Sequence, residues 1–438
     1  MAMPKAILAP GPVPGGALPT GGRANLVALG LVMCIACLLA PATGRGTPAD
    51  RRGLNVAADW PNWRGPNHNG VSNETGWSTT WPAEGPKVLW KAALGTGFAS
   101  MAVSNGRMYA MGNINNNDIL YCFDADTGKE IWKKSYPCPL FNKEHEGGPA
   151  ATPTVDGDLV YTFSKNGDVV CFRAATGDVL WHRNIVKEQG IKHPTWYFAS
   201  SPRVIDNLII LNAGTNGIAL NKADGSLAWK NGNGAGSYAT AVAFDLGGQK
   251  CAAIMTASEM VGVVTSTGKI ILRYPWKTSY DINAADPIVS GDTMFVCSGY
   301  NKGCALLKIQ PDKVSEIWRN RNMSPHANSC VLWEGYIYGF NGQFGGGGKL
   351  TCLDHQTGQV KWSQAGMGTG SLMIADGKLI ILGERGKLVI AKARSEKFEQ
   401  LAEAQILTGK CWTMPVLANG RIYARNAAGD LVCLDVRR

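Results

Sequence analysis

Residues 153–181 read PTVDGDLVYTFSKNGDVVCFRAATGDVLW, and this stretch decides the fold. It contains four short apolar runs separated by turns at Gly157, Gly167 and Gly177. Short runs rich in Val, Leu and aromatic residues and bounded by Gly, Asn and Asp are typical of β-strands joined by tight turns. The unit therefore predicts one four-stranded antiparallel sheet whose last strand ends in Trp181.

The same unit recurs along the chain. Strand-ending tryptophans are expected at Trp90, Trp132, Trp181, Trp229, Trp276, Trp318 and Trp362, with a degenerate eighth copy ending near Phe398. The first strand of the unit is expected around Val103, Val155, Val204, Val242, Ile288, Val331, Ile374 and Val416. These intervals match one four-stranded propeller blade. The sequence thus predicts an all-β fold, an eight-bladed β-propeller of four-stranded antiparallel blades, and no segment between repeats has the composition of a linker between two smaller propellers.

The phase of the repeat predicts how the ring closes. Lys87-Val-Leu-Trp90 matches a fourth strand but has no blade before it, whereas the last copy, Pro415 to Asp435, stops after its third strand. We therefore expect the N-terminal strand to pair with the C-terminal blade, which leaves no open blade edge at the seam.

The N-terminus precedes the repeats. Residues 24–40 form an apolar run behind Arg23 and are followed by small residues, as in a secretory signal. We assign residues 1–44 to a signal peptide, 45–86 to an irregular segment packing on the propeller, and 87–438 to the propeller. A retained membrane anchor is the alternative, because the run is near the lower length for spanning a bilayer. Both readings predict a periplasmic or secreted protein of the bacterial cell envelope, and only an uncleaved segment would contact the membrane.

Charge gives little information about partners. The formal net charge is +10, but no cluster of Lys and Arg with interleaved aromatic residues occurs, so nucleic acid is not expected as a partner.

The cysteines fall into two groups. Cys122, Cys171, Cys352 and Cys433 occupy one position of the repeat in separate blades, which indicates small buried apolar side chains. Cys297 and Cys304 flank a predicted hairpin, and an oxidised cross-strand pair is one option there.

The D-x-x-T-G turns, the terminal tryptophans and the P-x-V-x-x-G-x-x-Y strand starts resemble the pyrroloquinoline-quinone (PQQ)-like repeat β-propeller family over residues 60–438. Asp59–Pro66 (DWPNWRGP), Gly383–Gly386 (GERG) and Lys410–Pro415 (KCWTMP) are also similar to the secreted PQQ-like repeat proteins of planctomycete-type bacteria. The resemblance implies a propeller but not one function. One branch contains quinoprotein alcohol dehydrogenases, which hold PQQ and Ca²⁺ in the central channel. Another contains the propeller subunit of the outer-membrane β-barrel assembly machinery, a scaffold without a cofactor.

The sequence departs from the dehydrogenase branch. The enzymes of that branch resemble one another in having a disulfide between two adjacent cysteines, which lies against the quinone. This sequence has no adjacent cysteines and no C-x-x-C-H haem attachment site. It also lacks a P-loop, H-E-x-x-H and G-x-S-x-G.

The segments that lead into the first strands are expected at the mouth of the central channel, where polar groups amid aromatic walls suit a small-molecule site. The candidate ligand-binding residues are His145, Glu146, Trp196, Tyr238, Asn283, His326, Asn328 and Trp412. Asp281, Asn283 and Asp286 supply oxygen atoms that could hold Ca²⁺, or could cap their own loop through Asx turns. His145 and His326 could be ligands or general bases, or could bond neighbouring backbone.

The sequence favours an exported, non-catalytic binding or scaffolding propeller, which recognises an envelope protein or a small molecule through its blade-top loops and central channel. The alternative is a PQQ- and Ca²⁺-dependent quinoprotein-like oxidoreductase of the alcohol-dehydrogenase type, with Asp281 or Asp286 as the base. Apart from these two carboxylates and the two histidines, no catalytic residue is suggested.

Overall fold

The computed structural model describes residues 59–143 and 145–438, which form eight four-stranded antiparallel sheets arranged as a β-propeller. This confirms the predicted fold. The predicted signal peptide, residues 1–44, lies outside the described residues. Within them, no helix is long and apolar enough to cross a membrane.

In chain order the strands are β1 Val71–Ser72, β2 Val88–Ala93, β3 Ala102–Ser104, β4 Arg107–Ile114, β5 Asn117–Asp124, β6 Glu130–Pro137, β7 Thr154–Asp156, β8 Leu159–Phe163, β9 Asp168–Arg173, β10 Val179–Asn184, β11 Arg203–Ile205, β12 Leu208–Leu211, β13 Ile218–Asn221, β14 Leu227–Lys230, β15 Val242–Leu246, β16 Gln249–Met255, β17 Glu259–Val264, β18 Ile270–Pro275, β19 Ile288–Ser290, β20 Thr293–Ser298, β21 Gly303–Gln310, β22 Lys313–Asn320, β23 Val331–Trp333, β24 Tyr336–Asn341, β25 Lys349–Asp354, β26 Val360–Gln364, β27 Ser371–Ala375, β28 Lys378–Leu382, β29 Lys387–Lys392, β30 Gln400–Gln405, β31 Val416–Ala418, β32 Arg421–Arg425 and β33 Asp430–Asp435. A short helix, α1 Ile185–Gln189, follows β10. Blades 1 to 7 take four consecutive strands each, from β3–β6 to β27–β30, and blade 8 consists of β31, β32, β33 and β2.

The innermost strand of every blade carries the repeated valine or isoleucine that the sequence predicts. These strands are β3, β7, β11, β15, β19, β23, β27 and β31. Because neighbouring strands run in opposite directions, the loop that leads into each innermost strand and the turn between the second and third strands lie at the same face. That shared face is where the channel mouth was expected.

A tryptophan on the outermost strand joins most blades to the next. Trp90 is buried, its Nε1 donates to the Ala125 carbonyl 3.2 Å away in the turn of blade 1, and its ring contacts Phe123 and Tyr423. Equivalent bonds run from Trp132 to Ala174, Trp181 to Lys222, Trp229 to Thr265, Trp318 to His355 and Trp362 to Arg394. Each indole therefore buries apolar area and satisfies a turn carbonyl in the neighbouring sheet.

Two local features accompany these tryptophans, a β-bulge on the same strand and a small residue on the adjacent strand. A one-residue β-bulge precedes Trp90 on β2, and the same irregularity occurs on the outer strand of every blade. Bulges twist a strand and so protect an exposed sheet edge. The four repeat cysteines lie directly opposite a tryptophan on the adjacent strand: Cys433 opposite Trp90, Cys122 opposite Trp132, Cys171 opposite Trp181 and Cys352 opposite Trp362. A small side chain there leaves room for the indole on the same face of the sheet.

Two predicted positions in this series are wrong. Trp276 lies beyond the end of β18, where it is fully buried and donates to Ser298 Oγ at 2.9 Å; Leu272 takes the position of the tryptophan in blade 4. In blade 7 the position belongs to Ala402, whereas Phe398 precedes β30 and packs edge-on against Trp362. In blade 4 the turn keeps the spacing of the repeat from Gly268 to Leu272, and the counted tryptophan lies four residues further on. Blade 7 lacks the turn glycine, so the aromatic residue that was counted there did not mark the position.

The ring closes as predicted. β2 pairs antiparallel with β33, with Trp90 opposite Cys433. Arg425 on β32 adds a second connection at this seam, since its fully buried guanidinium donates to the carbonyls of Gly95, Ala99 and Met111. Burial lowers the pKa of Arg425 to about 10, so the group is charged at neutral pH and bound by backbone oxygens.

Residues 59–86 cross the propeller and fill part of its channel. Trp60 forms an antiparallel bridge with Val103 of blade 1, and β1 pairs in parallel with β27 of blade 7. Arg64 is buried and donates to the carbonyl of Cys330, next to blade 6, at 2.8 Å. Contacts to blades on different sides of the ring indicate that this segment blocks the channel.

All ten cysteines of the described residues are free thiols. Cys297 and Cys304 do lie opposite each other on β20 and β21, as the hairpin predicted. However, Cys304 Sγ donates to Asn320 Oδ1 at 3.1 Å, while Cys297 Sγ lies 3.9 Å from Cys330 Sγ in the next blade. The cross-strand pair is therefore not a disulfide in this structure.

Replacing Trp90 tests the contact at the seam. Trp90→Ala removes a buried indole that contacts blades 8 and 1, so we expect the free energy of unfolding to fall by about 3 kcal/mol or more. Val88→Ala on the same strand removes a side chain that is 44% exposed and should change it by less than about 0.5 kcal/mol. Urea titration of both variants measures the difference, and equal losses would contradict the role of the indole.

Alanine substitutions at two glycines distinguish the cost of backbone strain from the cost of a clash with the Trp90 indole. Gly128 (φ 70°) and Gly106 (φ 73°) both have left-handed backbone, but a Cβ on Gly128 would lie about 2.5 Å from the Trp90 indole, whereas one on Gly106 meets nothing within 4 Å. Gly128→Ala should therefore cost about 1–3 kcal/mol more stability than Gly106→Ala. Thermal unfolding of the pair provides the measurement, and a difference near zero would show that the indole can move aside.

Candidate functional site

A cavity of about 560 Å³ lies at the face where the loops enter the innermost strands. Its volume is in the range of small-molecule sites. Of the predicted site residues, His145, Trp196, Tyr238, Asp286, His326, Asn328 and Trp412 line it. Trp63, from the segment that crosses the channel, also lines it, so this segment supplies part of the cavity wall.

Eight half-buried rings surround this cavity and form what we call the aromatic collar. Its members are Phe98, His145, Trp196, Tyr238, Tyr300, His326, Phe344 and Trp412. Neighbouring rings contact one another: Phe98 and His145 at 5.3 Å, His145 and Trp196 at 6.1 Å, Tyr300 and His326 at 5.1 Å, His326 and Phe344 at 4.7 Å. Since each ring comes from a different loop, the contacts hold these loops to one another.

Trp412 lies at the centre of one side of the collar. Phe344 stacks on it with ring centres 3.7 Å apart and planes 8° apart, and Phe98 lies nearly parallel at 5.4 Å. Lys410 Nζ is 4.3 Å from the centre of the Trp412 ring. Phe344 and the ammonium cannot occupy the same side, so both faces of Trp412 are in contact with the protein. In this structure Trp412 shapes the wall, and a ligand would meet its edge.

The two histidines of the collar are bonded to backbone groups. His145 Nδ1 accepts from the Gly147 amide at 3.0 Å, and His326 Nδ1 accepts from the Phe344 amide at 3.2 Å. His326 Nε2 is also 2.9 Å from the Tyr300 hydroxyl. An accepting Nδ1 places the proton of the neutral ring on Nε2.

Burial keeps both histidines neutral. It lowers the pKa of His326, and burial together with the charge of Lys165 lowers the pKa of His145 to about 4. At neutral pH the collar therefore presents imidazole N–H groups and carries no imidazolium charge.

Trp196 and Tyr238 are held by a bond between their loops. The Trp196 backbone amide donates to the Tyr238 hydroxyl at 3.1 Å. Burial raises the pKa of Tyr238 to about 12, so the phenol remains protonated at neutral pH. Its hydroxyl proton is thus available to an acceptor in the cavity.

Asp286 belongs to the cavity wall but is not exposed as a base. Its carboxylate accepts from Trp63 Nε1 at 2.6 Å and from the Thr240 amide at 2.7 Å, and Arg64 Nε lies 3.8 Å away. Burial raises the pKa of Asp286, while the Arg64 charge and these bonds oppose the shift. Asp286 therefore anchors the N-terminal segment in the channel.

Asp281 and Asn283 lie outside the cavity wall. The Asp281 side chain is 55% exposed and 3.8 Å from Lys277. The Asn283 amide is fully buried, donating to the carbonyls of Thr256 and Trp276 and accepting from Ser298. Asp281, Asn283 and Asp286 thus have separate partners and do not converge on one point. Across residues 59–143 and 145–438, no group of three or more His, Cys, Asp or Glu side chains could hold a metal ion. These residues do not fit a PQQ–Ca²⁺ centre, and we derive no step through one.

Glu146 and Asn328 have structural partners at the mouth. Glu146 forms an ion pair with Lys410 at 2.8 Å, and Asn328, which lines the cavity, donates its amide to the Gly370 carbonyl at 2.7 Å. Glu146 therefore acts on the cavity through Lys410, which lines it.

The sequence analysis missed four lining side chains that share one position in the blade. Lys165, Tyr300, Phe344 and Glu384 all lie between the second and third strands of their blades. These turns share a face with the loops that lead into the innermost strands, so the repeat pattern also predicts their position at the channel mouth. Trp63 had no such signal, because nothing in an irregular segment indicates which side chain enters a channel.

Comparison with known proteins agrees with this architecture. The family described as outer membrane protein assembly factor BamB matches residues 115–364. A curated relative of the same name from Yersinia pestis is 22% identical over 356 residues, which cover 79% of this chain and 77% of the relative. The predicted membership of a PQQ-like repeat family is thereby confirmed.

Solved structures support the fold alone at their level of identity. BamB from Moraxella catarrhalis has a TM-score of 0.60 at 13% identity, covering 80% of this chain and 99% of that one. Quinohemoprotein alcohol dehydrogenase from Comamonas testosteroni has a TM-score of 0.63 at 13% identity, covering 86% and 80%. The fold is thus similar to both a BamB propeller and an alcohol dehydrogenase. The BamB family model matches more than half of the 438 residues. The chain belongs to the outer membrane protein assembly factor BamB family of PQQ-like repeat β-propellers.

Proposed function

We propose that this protein is an exported, non-catalytic propeller of the bacterial cell envelope, which binds its partner with the face that carries the aromatic collar. The observation that carries the proposal is the collar itself, in which eight rings come from different loops around a cavity and seven of them are linked by ring contacts. Binding residues held on loops by a rigid frame are the usual arrangement for recognition. A preformed surface also loses little conformational entropy when a partner binds.

The state of the polar groups supports recognition over acid–base chemistry. His326 has both ring nitrogens engaged, the pKa of His145 is about 4, and Asp286 bonds the N-terminal segment. A general base must be free to accept a proton near the operating pH. These groups instead hold loops in place, which is what a binding surface requires.

The rim of the collar has the character of a protein-docking surface. Tyr280 is 63% exposed and packs edge-on against Tyr300 of the collar at 5.0 Å. Lys277 and Asp281, both more than half exposed, lie beside it. An exposed tyrosine supported by a second ring and bordered by charges matches the composition of interface hot spots and their polar rims.

The relatives indicate the process in which the partner would be found. Their name, outer membrane protein assembly factor, places them in the assembly of outer membrane proteins. We infer that this chain has the same type of role, with another envelope protein as its partner and the periplasm or cell surface as its location.

Export can be tested with the N-terminal residues. Fused to alkaline phosphatase, residues 1–58 should give active enzyme in bacterial cells, because this reporter forms its disulfides only outside the cytoplasm. A fusion beginning at residue 59 serves as the control and should be inactive. An inactive 1–58 fusion that is stably produced would contradict export.

Site-specific crosslinking tests the docking face. A photoreactive phenylalanine analogue at Tyr280 should crosslink to an envelope protein in the bacterium that carries the gene. The same analogue at Asp206, an exposed turn residue at the opposite face, is the control. The proposal predicts a specific adduct from position 280 at several-fold higher yield, and equal adducts from both positions would refute the choice of face.

A further inference from the structure

One charged group in the cavity wall forms no ion pair, although the buried Asp118 carboxylate acts on it from beyond contact distance. Lys165 follows β8, lines the cavity and is 4% exposed. Its Nζ makes one long hydrogen bond, 3.4 Å to the Trp196 carbonyl, and no ion pair with a carboxylate of the described residues. A buried ammonium without an ion pair loses the free energy of its hydration and recovers little of it from one long hydrogen bond. Fully buried lysines without such a pair are therefore rare outside functional sites.

The other charged groups around the cavity have ion pairs or several hydrogen bonds. Lys410 pairs with Glu146, and Asp286 lies beside Arg64. The Glu384 carboxylate accepts from the Trp412 indole and from the amides of Gly345 and Thr369. Among the charged described residues that line the cavity, Lys165 is thus the one with neither an ion pair nor more than one hydrogen bond.

The surroundings of Lys165 suit an anion attached to a flat apolar group. His145, whose ring proton is on Nε2, is close enough for the charge of Lys165 to lower its pKa. Trp196 and Tyr238 continue the same wall, and Phe98 contacts His145. The cavity therefore offers one cation and neutral hydrogen-bond donors beside aromatic surface, and one free cation matches one carboxylate better than a polyanion.

We propose that the cavity binds a small aromatic monocarboxylate, with its carboxylate on Lys165 and its ring against the collar. This deepens the proposed binding function, because it assigns a ligand class to the same face. Bringing the two charges together in a site with little water strengthens their attraction, and the ring replaces water on apolar walls.

Isothermal titration calorimetry with 2-naphthoate and its uncharged analogue 2-naphthamide tests the proposal, because the two probes share a ring and differ in charge. At pH 7 the wild-type protein should bind the carboxylate at least tenfold more tightly than the amide. Lys165→Met should reduce this ratio to about twofold or less. Lys222→Met, which removes a half-buried lysine paired with Asp156 outside the cavity, should leave the ratio unchanged.

The pH dependence supplies a readout without a mutation. Burial lowers the pKa of Lys165 to about 8, while Asp118 and Cys138, the charged or titratable groups that act on it, oppose the shift. The ammonium is present at pH 7 and lost as the pH rises above 8, whereas naphthoate stays ionised throughout. The preference for naphthoate should therefore decrease by pH 10, after allowance for the rise in pKa that the ligand itself causes.

Each alternative result is decisive. No heat of binding at millimolar naphthoate, equal affinities for the two probes, or a preference that survives in Lys165→Met would overturn the proposal. Crosslinks from position 280 do not depend on Lys165. If they persist while naphthoate selectivity is absent, the ligand assignment fails and the docking face stands; if selectivity is present without crosslinks, the reverse holds.

Thermal stability gives a second, independent readout. Because the folded-state pKa of Lys165 is lowered from 10.5 to about 8, the unfolded chain holds the proton more tightly at neutral pH, and the charge destabilises the fold there. Lys165→Met should raise the melting temperature at pH 7 by about 2 °C or more, and by less at pH 10. A lower melting temperature in this variant at pH 7 would mean that Lys165 serves stability, and would contradict a lysine kept for a ligand.

Discussion

The contact of each outer-strand tryptophan with the turn of the next blade is the interaction on which the ring depends. Trp90 shows it most clearly, since its indole bonds the Ala125 carbonyl and packs under Gly128 of blade 1, while its own strand completes blade 8. The chain ends are thereby joined through side-chain packing as well as backbone pairing. Blades 4 and 7, with Leu272 and Ala402 at this position, lack the indole and rely on other buried apolar contacts.

The tryptophan contacts hold the blades together at the outer strands and at the turns before them. The loops at the opposite face, which carry the cavity, can therefore differ from blade to blade. The collar uses that freedom, because its rings come from loops that contribute little to blade pairing. The N-terminal segment adds to the site by bringing Trp63 and Arg64 to Asp286. A channel that would otherwise pass through the ring becomes a cavity with an aromatic wall, and the carboxylate most suited to act as a base is instead used as an anchor.

Lys165 shows how stability and binding oppose each other in this cavity. Apolar walls favour a flat ligand but also deprive an ammonium of water, which is why its pKa lies near 8. A carboxylate ligand would remove that penalty, so the same burial that destabilises the free protein would strengthen the complex. The scaffold tolerates the penalty because the blade contacts that hold the ring together lie elsewhere.

Sequence alone determined the blade count, the inner strands from Val103 to Val416, and the pairing of the N-terminal strand with the last blade. These depend on local patterns, namely strand alternation, turn glycines and a repeated tryptophan, which each copy carries within itself. It also named seven residues of the cavity wall, since the loop before each inner strand could be located by counting. Only the tertiary structure decided that Asp281 and Asn283 face away, that Asp286 is held by Trp63, and that Lys165 is buried without an ion pair. These features depend on contacts between side chains that are far apart in the sequence, and a local sequence pattern carries no information about such contacts.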